Sequence, residues 1–300
     1  MAVTRIQYEV RAGDPADHAP LVDLWLARVP TLRRTEAEFG FVTSDKARYF
    51  HLRTAYVGDG LAGWGVSAHP AMFPPDFALV NVVVAREHAG RGIGRALYDE
   101  LLTTVPDGIT RLGTAVDDAD PESLAIAEAH GFAVNQHGIN SALRLVDLPE
   151  PTPVPGLTYE DVSTLVFPDE DAVEAMLQDS QTNPEAAAGV RSSLELFRRF
   201  QGPQDFLAVL ARLDGAPAAI ITGAIDDGLL FIHYTGVGQS FRGRNIGFAL
   251  KQFAHRLAAE RGATASYTTN EETNAGIRRV NAKLGYQVVG GAYRMRRPFP

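Results

Sequence analysis

The sequence contains an internal repeat, and this feature limits the possible folds more than any other. The segment GRGIGRAL at Gly90–Leu97 recurs as GRNIGFAL at Gly243–Leu250, with six of the eight positions identical and an offset of 153 residues. Farther along, HGF at His130–Phe132 corresponds to LGY at Leu284–Tyr286, at an offset of 154 residues. Two matches that share one offset to within a residue indicate two copies of one structural unit, each about as long as the offset.

A proline-rich segment separates the two copies. Residues 148–156 read LPEPTPVPG, and the four prolines remove backbone hydrogen-bond donors and favour an extended chain. We therefore predict a stiff linker over residues 148–156, which joins an N-terminal domain over residues 1–149 to a C-terminal domain over residues 156–300. The total length of 300 residues is also typical of two domains.

The same order of strand and helix patterns runs through both copies. In the first copy an apolar strand over residues 77–84 precedes the glycine-rich loop, and a helix over residues 92–104 follows it. In the second copy the corresponding strand covers residues 229–237 and the helix covers residues 243–260. This alternation predicts a mixed α/β topology. The first copy is predicted to close with two short strands, near residues 132–135 and 141–146.

The composition excludes several classes of protein. The chain has no cysteine, which excludes a disulfide scaffold, a thiolate metal site and a cysteine nucleophile. The opening MAVTRIQYEVRAGDPADH lacks the apolar core of a signal peptide, and no apolar run approaches the roughly 20 residues of a membrane-spanning helix. We therefore expect a cytoplasmic protein without a membrane partner.

The charge is acidic and unevenly distributed. A net charge of −8 disfavours nucleic-acid binding, which depends on clustered Lys and Arg. Residues 1–150 carry −7 and residues 151–300 carry −1. An acidic half favours a cationic small-molecule substrate such as an amine, although an acidic surface that aids solubility is the plainer explanation. We expect a monomer or a homodimer.

The repeated glycine-rich loop has the features of an anion site. Backbone N–H groups converge where a helix begins, and the absence of Cβ atoms lets a phosphate approach closely. The dinucleotide fingerprint does not fit, because Arg95 and Ala96 follow Gly94 where a further glycine is needed. A P-loop does not fit either, because Arg244 and Asn245 stand where Lys and Ser or Thr are required.

A third pattern fits both copies. An apolar strand that leads into V-x-x-x-x-R-G-R-G-x-G/A, with N-x-x-A and LGF farther along, resembles the GCN5-related N-acetyltransferase (GNAT) family. The resemblance covers nearly the whole chain and implies a tandem GNAT fold, similar in layout to mycothiol synthase. The implied fold class is α/β (α+β), with a mixed, mostly antiparallel central sheet flanked by helices in each domain. The implied cosubstrate is acetyl-CoA, and no metal is implied.

The resemblance also implies which residues bind acetyl-CoA. In the first copy they are Val82, Val83, Val84, Gly90, Arg91, Gly92, Ile93, Gly94 and Arg95. In the second copy they are Thr235, Gly236, Val237, Arg242, Gly243, Arg244, Asn245, Ile246, Gly247, Asn270, Asn274 and Asn281.

The two copies depart from the family pattern at different positions. Ala89 replaces the usual Arg or Gln of the first loop, and Asn245 replaces a glycine of the second, where Asn tolerates left-handed backbone. The family's Asn before the second helix is Asn274 in copy two, whereas copy one has Asp120 there. Residues 268–274, TTNEETN, resemble a T-x-N-x-x-x-N subgroup, although Thr and Asn also cap helices.

The resemblance implies direct attack of an amine on the thioester in a ternary complex. A backbone N–H of the strand before each loop would stabilise the oxyanion. The Tyr that often protonates the leaving thiolate is replaced by Asn281 and Ala127. We name Glu271 and His233 as candidate bases and Tyr234 as a candidate proton donor. The alternative bases are Glu272, Asp226 and Asp227, and the alternative donors are Tyr267, Tyr286 and water. Glu271 also suits a helix N-terminus, and His233 also suits a packed strand.

These patterns favour an acetyl-CoA-dependent N-acetyltransferase whose C-terminal domain is catalytic, because that domain keeps Arg242, Asn270 and Asn274. The first copy keeps the purer glycine loop, so acetyl-CoA binding there stays open. The alternative is an acyl-CoA-binding sensor or an inactive scaffold, which the missing Tyr in both copies suggests. The loops that select the acceptor, residues 32–50 and 167–193, contain no motif that identifies it.

Overall fold

The computed structural model describes residues 7–29, 32–70, 73–182, 191–201 and 205–300. The chain divides into two compact units. Unit 1 consists of Met1–His137 with Ala292–Pro300, and unit 2 consists of Gly138–Gly291.

The first repeat supplies six strands and four helices to the described structure. The strands are β1 (Glu9–Ala12), β2 (Tyr49–Val57), β3 (Gly60–His69), β4 (Phe77–Val84), β5 (Arg111–Asp117) and β6 (Ala133–Arg144). The helices are α1 (Ala19–Arg28), α2 (Arg34–Val42), α3 (Ile93–Leu102) and α4 (Pro121–Ala129).

The second repeat follows the same order within its described residues. Its strands are β7 (Leu157–Asp161), β8 (Asp205–Leu213), β9 (Ala216–Asp226), β10 (Leu229–Val237), β11 (Ala265–Glu271) and β12 (Gln287–Pro298). Its helices are α5 (Glu170–Ser180), α6 (Leu194–Phe200), α7 (Ile246–Glu260) and α8 (Ala275–Leu284).

Each unit has one mixed sheet with the same strand directions. In unit 1, β1 to β4 pair as antiparallel neighbours, β4 pairs with β5 in parallel, and the end of β12 is antiparallel to β5. In unit 2, β7 to β10 are antiparallel, β10 and β11 are parallel, and the end of β6 is antiparallel to β11. The predicted fold class, a mixed and mostly antiparallel sheet with helices, is confirmed.

The last strand of each unit comes from the other repeat. Residues 138–144 of β6 pair with β11, and residues 292–298 of β12 pair with β5. The proline-rich segment at 148–156 therefore separates the sequence repeats but does not separate the compact units. The exchange is possible because β6 and β12 are each continuous over 12 residues. In the first copy, the two short closing strands predicted from the sequence are instead this one long strand.

Apolar side chains from the strands and helices form separate cores in the two units. In unit 1, Trp64 of β3 packs against α1 and α2, and its indole N–H donates to the Leu21 carbonyl at 2.9 Å. In unit 2, both faces of β8 and β9 are buried, one face against α7 and the other against α5. These cores fix the start of α7 against the end of β10.

Some sequence predictions differ from the structure or lie outside it. Helix α2 and strand β7 were not predicted. The sequence also predicts a strand over residues 6–11, which begins before the described residues, and a helix over residues 185–200, of which only α6 is described. No helix in the described parts of the chain is long and apolar enough to cross a membrane.

Candidate active site

The two parallel strands at the centre of each sheet separate partway along their length. Strand β4 pairs with β5 only from Phe77 to Leu79, and β10 pairs with β11 only from Leu229 to Ile232. Beyond these residues an opening begins between the strands of each pair. The acyl-CoA residues predicted on these strands all follow the last pair, at Val82, Val83 and Val84 in unit 1 and at Thr235, Gly236 and Val237 in unit 2.

Unit 2 has a β-bulge where its opening begins. The register between β10 and β9 shifts between Ile232 and Tyr234, so His233 is the extra residue. In unit 1, β3 and β4 pair without a shift from Gly63–Val84 to Ala68–Leu79. A bulge leaves backbone groups of the extra residue outside the ladder and increases the local twist. The ladder beside the opening is therefore irregular in unit 2 and regular in unit 1.

A side-chain hydrogen bond spans the opening of unit 1. The Thr114 hydroxyl of β5 donates to the Asn81 side-chain oxygen of β4 at 2.9 Å. Both residues lie just after the last paired residues of their strands. The opening of unit 1 is thus bridged near its start.

Each opening is followed by a loop of the same conformation. A short 3₁₀ turn, Arg86–His88 or Gln239–Phe241, leads into two residues with positive φ. These are Gly90 (72°) and Gly92 (86°) in unit 1, and Gly243 (77°) and Asn245 (61°) in unit 2. Asn245 thus takes the left-handed backbone that Gly92 takes in the other unit, which Asn does more readily than most residues.

The loop has room and donors for an anion. A Cβ added at Gly90 or Gly243 would have no heavy atom within 4 Å, so open space lies beside both glycines. The first N–H groups of α3 and α7 have no partner within their helices, since helical bonding starts with Ala96 to Gly92 and Ala249 to Asn245. The helix dipole makes these termini partly positive. A phosphate group of acyl-CoA fits this arrangement in both units.

Glycines hold the start of each helix close to the preceding strand. A Cβ at Gly94 would lie 3.4 Å from the Val84 side chain, and one at Gly247 would lie 3.2 Å from the Val237 side chain. Ile93 and Ile246, which open the two helices, are buried. The position of the donors relative to the opening is therefore fixed by packing.

The predicted arginines differ in what they contact. Arg242 donates to the Ser180 carbonyl at 2.8 Å, the Thr182 hydroxyl at 2.7 Å and the Val237 carbonyl at 3.1 Å. Its guanidinium thus fastens the loop to the end of α5. Arg91 and Arg244 are exposed and have no hydrogen bond or ion pair with any described residue, while Arg95 pairs with Asp99 at 3.5 Å on the helix surface.

The three predicted asparagines of unit 2 lie along β11 and α8. Asn281 is buried, and its amide donates to the Asn270 side-chain oxygen at 2.6 Å. Asn274 occupies the N-cap position of α8, but its side chain makes no capping hydrogen bond. The helix-capping explanation of the TTNEETN segment therefore does not account for the Asn274 side chain.

The Glu271 carboxylate forms hydrogen bonds with Thr273, two residues farther along the chain. It accepts hydrogen bonds from the Thr273 backbone at 3.1 Å and from the Thr273 hydroxyl at 2.8 Å. It therefore shapes the turn that leads into α8, as the helix N-terminus explanation expected.

Tyr234 and His233 lie next to each other on the bulged strand. The Ser180 hydroxyl donates to the Leu177 carbonyl at 2.7 Å, so it accepts from the Tyr234 hydroxyl at 2.6 Å, which directs the tyrosine donor towards α5. Burial raises the pKa of Tyr234. The His233 ring lies 5.3 Å from the Phe231 ring, and partial desolvation by the surrounding protein lowers the pKa of His233. Its imidazole is neutral at pH 7.

A buried polar cluster behind Asn281 was missed by sequence reasoning. Lys251 donates to the Asn281 side-chain oxygen at 2.5 Å, and the Tyr286 hydroxyl bonds to His255 at 2.8 Å and to Ser266 at 2.7 Å. Lys251 and His255 are one turn apart on α7 and lie beside its apolar stripe. The sequence signal that could have revealed this cluster is a lysine among the apolar residues of the α7 pattern.

The corresponding acidic position in unit 1 is a helix cap. Asp120 accepts from the Ser123 backbone at 3.0 Å and lies 3.6 Å from Arg28. Burial alone would raise the pKa of Asp120, but the Ser123 hydrogen bonds and the charges of Arg28 and Arg86 outweigh it and lower that pKa. The carboxylate is therefore ionised at the start of α4. Over the described residues, no group of three or more His, Asp or Glu side chains is arranged to hold a metal ion.

Comparison with known proteins identifies the same pattern in both halves. The acetyltransferase (GNAT) family model matches residues 19–132 and 171–286. A solved GCN5-related N-acetyltransferase from Sphaerobacter thermophilus is similar with a TM-score of 0.74 and 18% identity, over 97% of this chain and 95% of that chain. A tandem GNAT protein from the clavulanic acid biosynthesis pathway has a TM-score of 0.74 and 19% identity, over 98% and 99% of the two chains.

A third solved structure is part of a larger protein. It contains a GCN5-related glucosamine N-acetyltransferase region in a fungal multi-domain beta-N-acetylglucosaminidase, with a TM-score of 0.72 and 16% identity, over 100% of this chain and 39% of that chain. At identities of 16–19%, the similarity of these three structures to this chain shows a common fold and nothing more. No curated protein sequence matches the chain.

Proposed function

Because the chain belongs to the acetyltransferase (GNAT) family, we propose that it transfers an acetyl group from acetyl-CoA to the amine of a small molecule. The amine nitrogen forms the new bond to the carbonyl carbon while the carbon–sulfur bond breaks. The nitrogen loses one proton and the CoA sulfur gains one. The chain must therefore bind the CoA arm, orient the amine and stabilise a developing oxyanion.

The loops and openings supply the binding surface for this reaction. The N–H groups at the start of α7 and the exposed Arg244 bind the pyrophosphate, because both are positive and neither is used elsewhere in the described structure. Asn270 and Asn274 contact the acyl-CoA arm where β10 and β11 diverge. A backbone N–H of β10 near Gly236 stabilises the oxyanion.

We assign catalysis to unit 2, and the observation that carries this assignment is the bulge at His233 beside the opening between β10 and β11. Unit 1 has a regular strand at this place, a Thr114–Asn81 bridge across the opening and an ionised Asp120 at the start of α4, where unit 2 has Asn274. The bridge and the carboxylate oppose entry of an acyl-CoA arm into unit 1, and the regular strand lacks the bulge of unit 2.

Among the candidate acid and base groups, we assign proton acceptance to His233. Glu271 is engaged with Thr273, and Tyr234 donates towards Ser180. A neutral imidazole at the bulge is able to accept a proton, but its lowered pKa makes it a weak base at neutral pH. The acceptor amine's own ionisation is therefore expected to dominate the pH profile.

An amine acceptor is supported by two observations. The chain carries a net charge of −8, which attracts cations. One structure of the same fold is described as containing a glucosamine N-acetyltransferase region. The test is thiol release from acetyl-CoA in the presence of a panel of amines that includes amino sugars. Amine-dependent release supports the enzyme, whereas tight acetyl-CoA binding without release over the panel would favour a sensor.

A matched pair of variants tests the assignment to unit 2. Gly90→Asp and Gly243→Asp each place a carboxylate beside a loop, at positions with nearly the same φ and with open space around the new side chain. The carboxylate repels a phosphate, so we expect Gly243→Asp to lower kcat/KM by at least about 100-fold and Gly90→Asp to lower it by less than about threefold. The opposite order would assign catalysis to unit 1.

A further inference from the structure

Lys251 is a buried cation without a carboxylate partner. It lies on α7 with a relative exposure of 0%, and its ammonium donates to the Asn281 side-chain oxygen at 2.5 Å. Its nitrogen also lies 4.9 Å from the centre of the Tyr286 ring. No carboxylate contacts it within the described part of the chain. A buried charge of this kind costs folding free energy, which a methionine at the same place would avoid.

The ammonium determines how the neighbouring amides are oriented. A lysine ammonium only donates hydrogen bonds, so Asn281 must turn its oxygen towards Lys251 and its nitrogen away. The Asn281 nitrogen then donates to the Asn270 oxygen at 2.6 Å. Asn270 consequently keeps its own side-chain N–H groups for another acceptor.

Asn270 is placed where such an acceptor would arrive. It follows Thr268, the last residue of β11 that pairs with β10, and it is partly exposed. The series Lys251, Asn281 and Asn270 thus leads from the core of unit 2 to the opening between the two strands, with every donor pointing outward. Such aligned hydrogen bonds polarise one another, which strengthens the last donor.

The other polar groups around Lys251 are neutral near pH 7. His255, one turn along α7, has its pKa lowered to about 3 by burial and by the Lys251 charge. Burial raises the pKa of Tyr286, whose hydroxyl is held by His255 and Ser266. Burial also lowers the pKa of Lys251 itself to about 7. Loss of its proton lets the amine accept a hydrogen bond and removes the constraint on Asn281.

We propose that Lys251 is a positioning residue for the acyl-CoA site of unit 2, because through Asn281 it holds Asn270 with an amide N–H directed at a carbonyl oxygen of the acyl-CoA arm. This inference rests on the proposed function. Lys251 itself does not touch the acyl group.

Two variants break the series at different points. Lys251→Met removes the first donor and the buried charge. Asn281→Asp still accepts from Lys251 but is unable to donate, so Asn270 must turn its nitrogen inward and its oxygen towards the opening. Lys283→Met is the matched control, because Lys283 lies on α8 over the Phe248 ring and outside the series, and the chain has only these two lysines and Lys46.

The measurement is the Kd for acetyl-CoA by calorimetry at pH 6, where Lys251 holds its proton, together with thermal unfolding of each variant. We expect Lys251→Met and Asn281→Asp each to weaken binding by about threefold to tenfold, as for one lost hydrogen bond, and Lys283→Met to bind as the wild type does. The unfolding temperature of Lys251→Met should not fall, which separates positioning from general damage. The difference in affinity between the wild type and Lys251→Met should also change between pH 6 and pH 8.

A double variant distinguishes coupling from independent effects. If Lys251 acts through Asn270, Lys251→Met in an Asn270→Ala background should weaken binding no further. Additive losses, or wild-type affinity in both single variants, would overturn the inference while acetyl transfer by the wild type still supports the proposed function. If the wild type binds no acetyl-CoA, the proposed function fails and this inference fails with it.

Discussion

A buried lysine makes the free energy of unfolding depend on pH. Burial lowers the pKa of Lys251 from its ordinary value of 10.5 to about 7. Between these values the unfolded chain holds a proton that the folded chain has released, so this group makes the folded state more stable as pH rises from about 7 to 10.5. Below about 7 both states are protonated, and the destabilisation by the buried charge is then largest.

This direction of the pH dependence of stability leads to a prediction for Lys251→Met. The variant should be more stable than the wild type at pH 6.5, and its advantage should shrink steadily up to pH 9.5. Urea denaturation at a series of pH values measures the difference, in which the titrations of all other groups largely cancel. An advantage that stays constant over this range would mean that the pKa of Lys251 is not lowered in the folded protein.

Other residue-scale features divide into those that local sequence specifies and those that it does not. The left-handed backbone at Asn245 was predictable, because the repeat aligns this residue with Gly92 and Asn tolerates that conformation. The direction of the Arg242 side chain was not, because its partners Ser180 and Thr182 lie about 60 residues earlier in the chain. Only the folded structure brings the end of α5 to the loop.

At the scale of elements, the end of α5 holds the glycine-rich loop of unit 2 in place. Asp179 accepts from the Gln239 backbone at 2.6 Å, and Arg242 reaches back to Ser180 and Thr182. The corresponding position of Arg242 in the first repeat is Ala89, which has no side chain for such contacts. In unit 2, hydrogen bonds of the Asp179 and Arg242 side chains therefore hold the loop against the end of α5.

Two neighbouring arginines should consequently behave differently when replaced. Arg242→Ala removes three hydrogen bonds that hold the loop, so it should lower both the unfolding temperature and the acetyl-CoA affinity. Arg244→Ala removes an exposed charge without partners in the described structure, so it should weaken acetyl-CoA binding by about threefold to tenfold without changing the unfolding temperature. Calorimetry and thermal unfolding of both variants make the comparison. Equal loss of stability in the two would contradict it.

Strands and helices next to the loops were predicted well, but the bulge was not. The segment LLFIHYTGV has the apolar content of a strand, and β10 has the predicted bounds. Nothing in its alternation marks His233 as an extra residue, because a bulge is fixed by pairing with β9. The helix α2 was missed for a related reason, since its apolar residues become a helix face only through packing on α1 and β3.

At the scale of the whole molecule, the repeat predicted two copies of one fold but not the exchange of their last strands. The pattern of β12 is the same whether it pairs with its own repeat or with β5 of the other. The strand that β12 pairs with depends on which sheet edge the chain reaches, and the local sequence contains no signal that specifies this edge. Each unit consequently depends on residues far away in the sequence.

Reciprocal core substitutions test this dependence. Met295 is buried in the core of unit 1, and Leu145 is buried in the core of unit 2. Replacing either by Ala leaves a cavity that costs about 2–5 kcal/mol. Hydrogen exchange should become faster around β5 and α4 in Met295→Ala and around β8 and β9 in Leu145→Ala. Faster exchange confined to the mutated residue's own repeat would contradict the exchange of strands.

The exchanged strand also sets an order of events during protein synthesis. A ribosome adds about 5–20 residues per second and releases the chain from its N-terminal end. All of unit 2, Gly138–Gly291, has been synthesised while Ala292–Pro300 is still to be added. The unit that begins first in the chain is thus completed last, and until then the edge of β5 stays without its final neighbour and open to other chains.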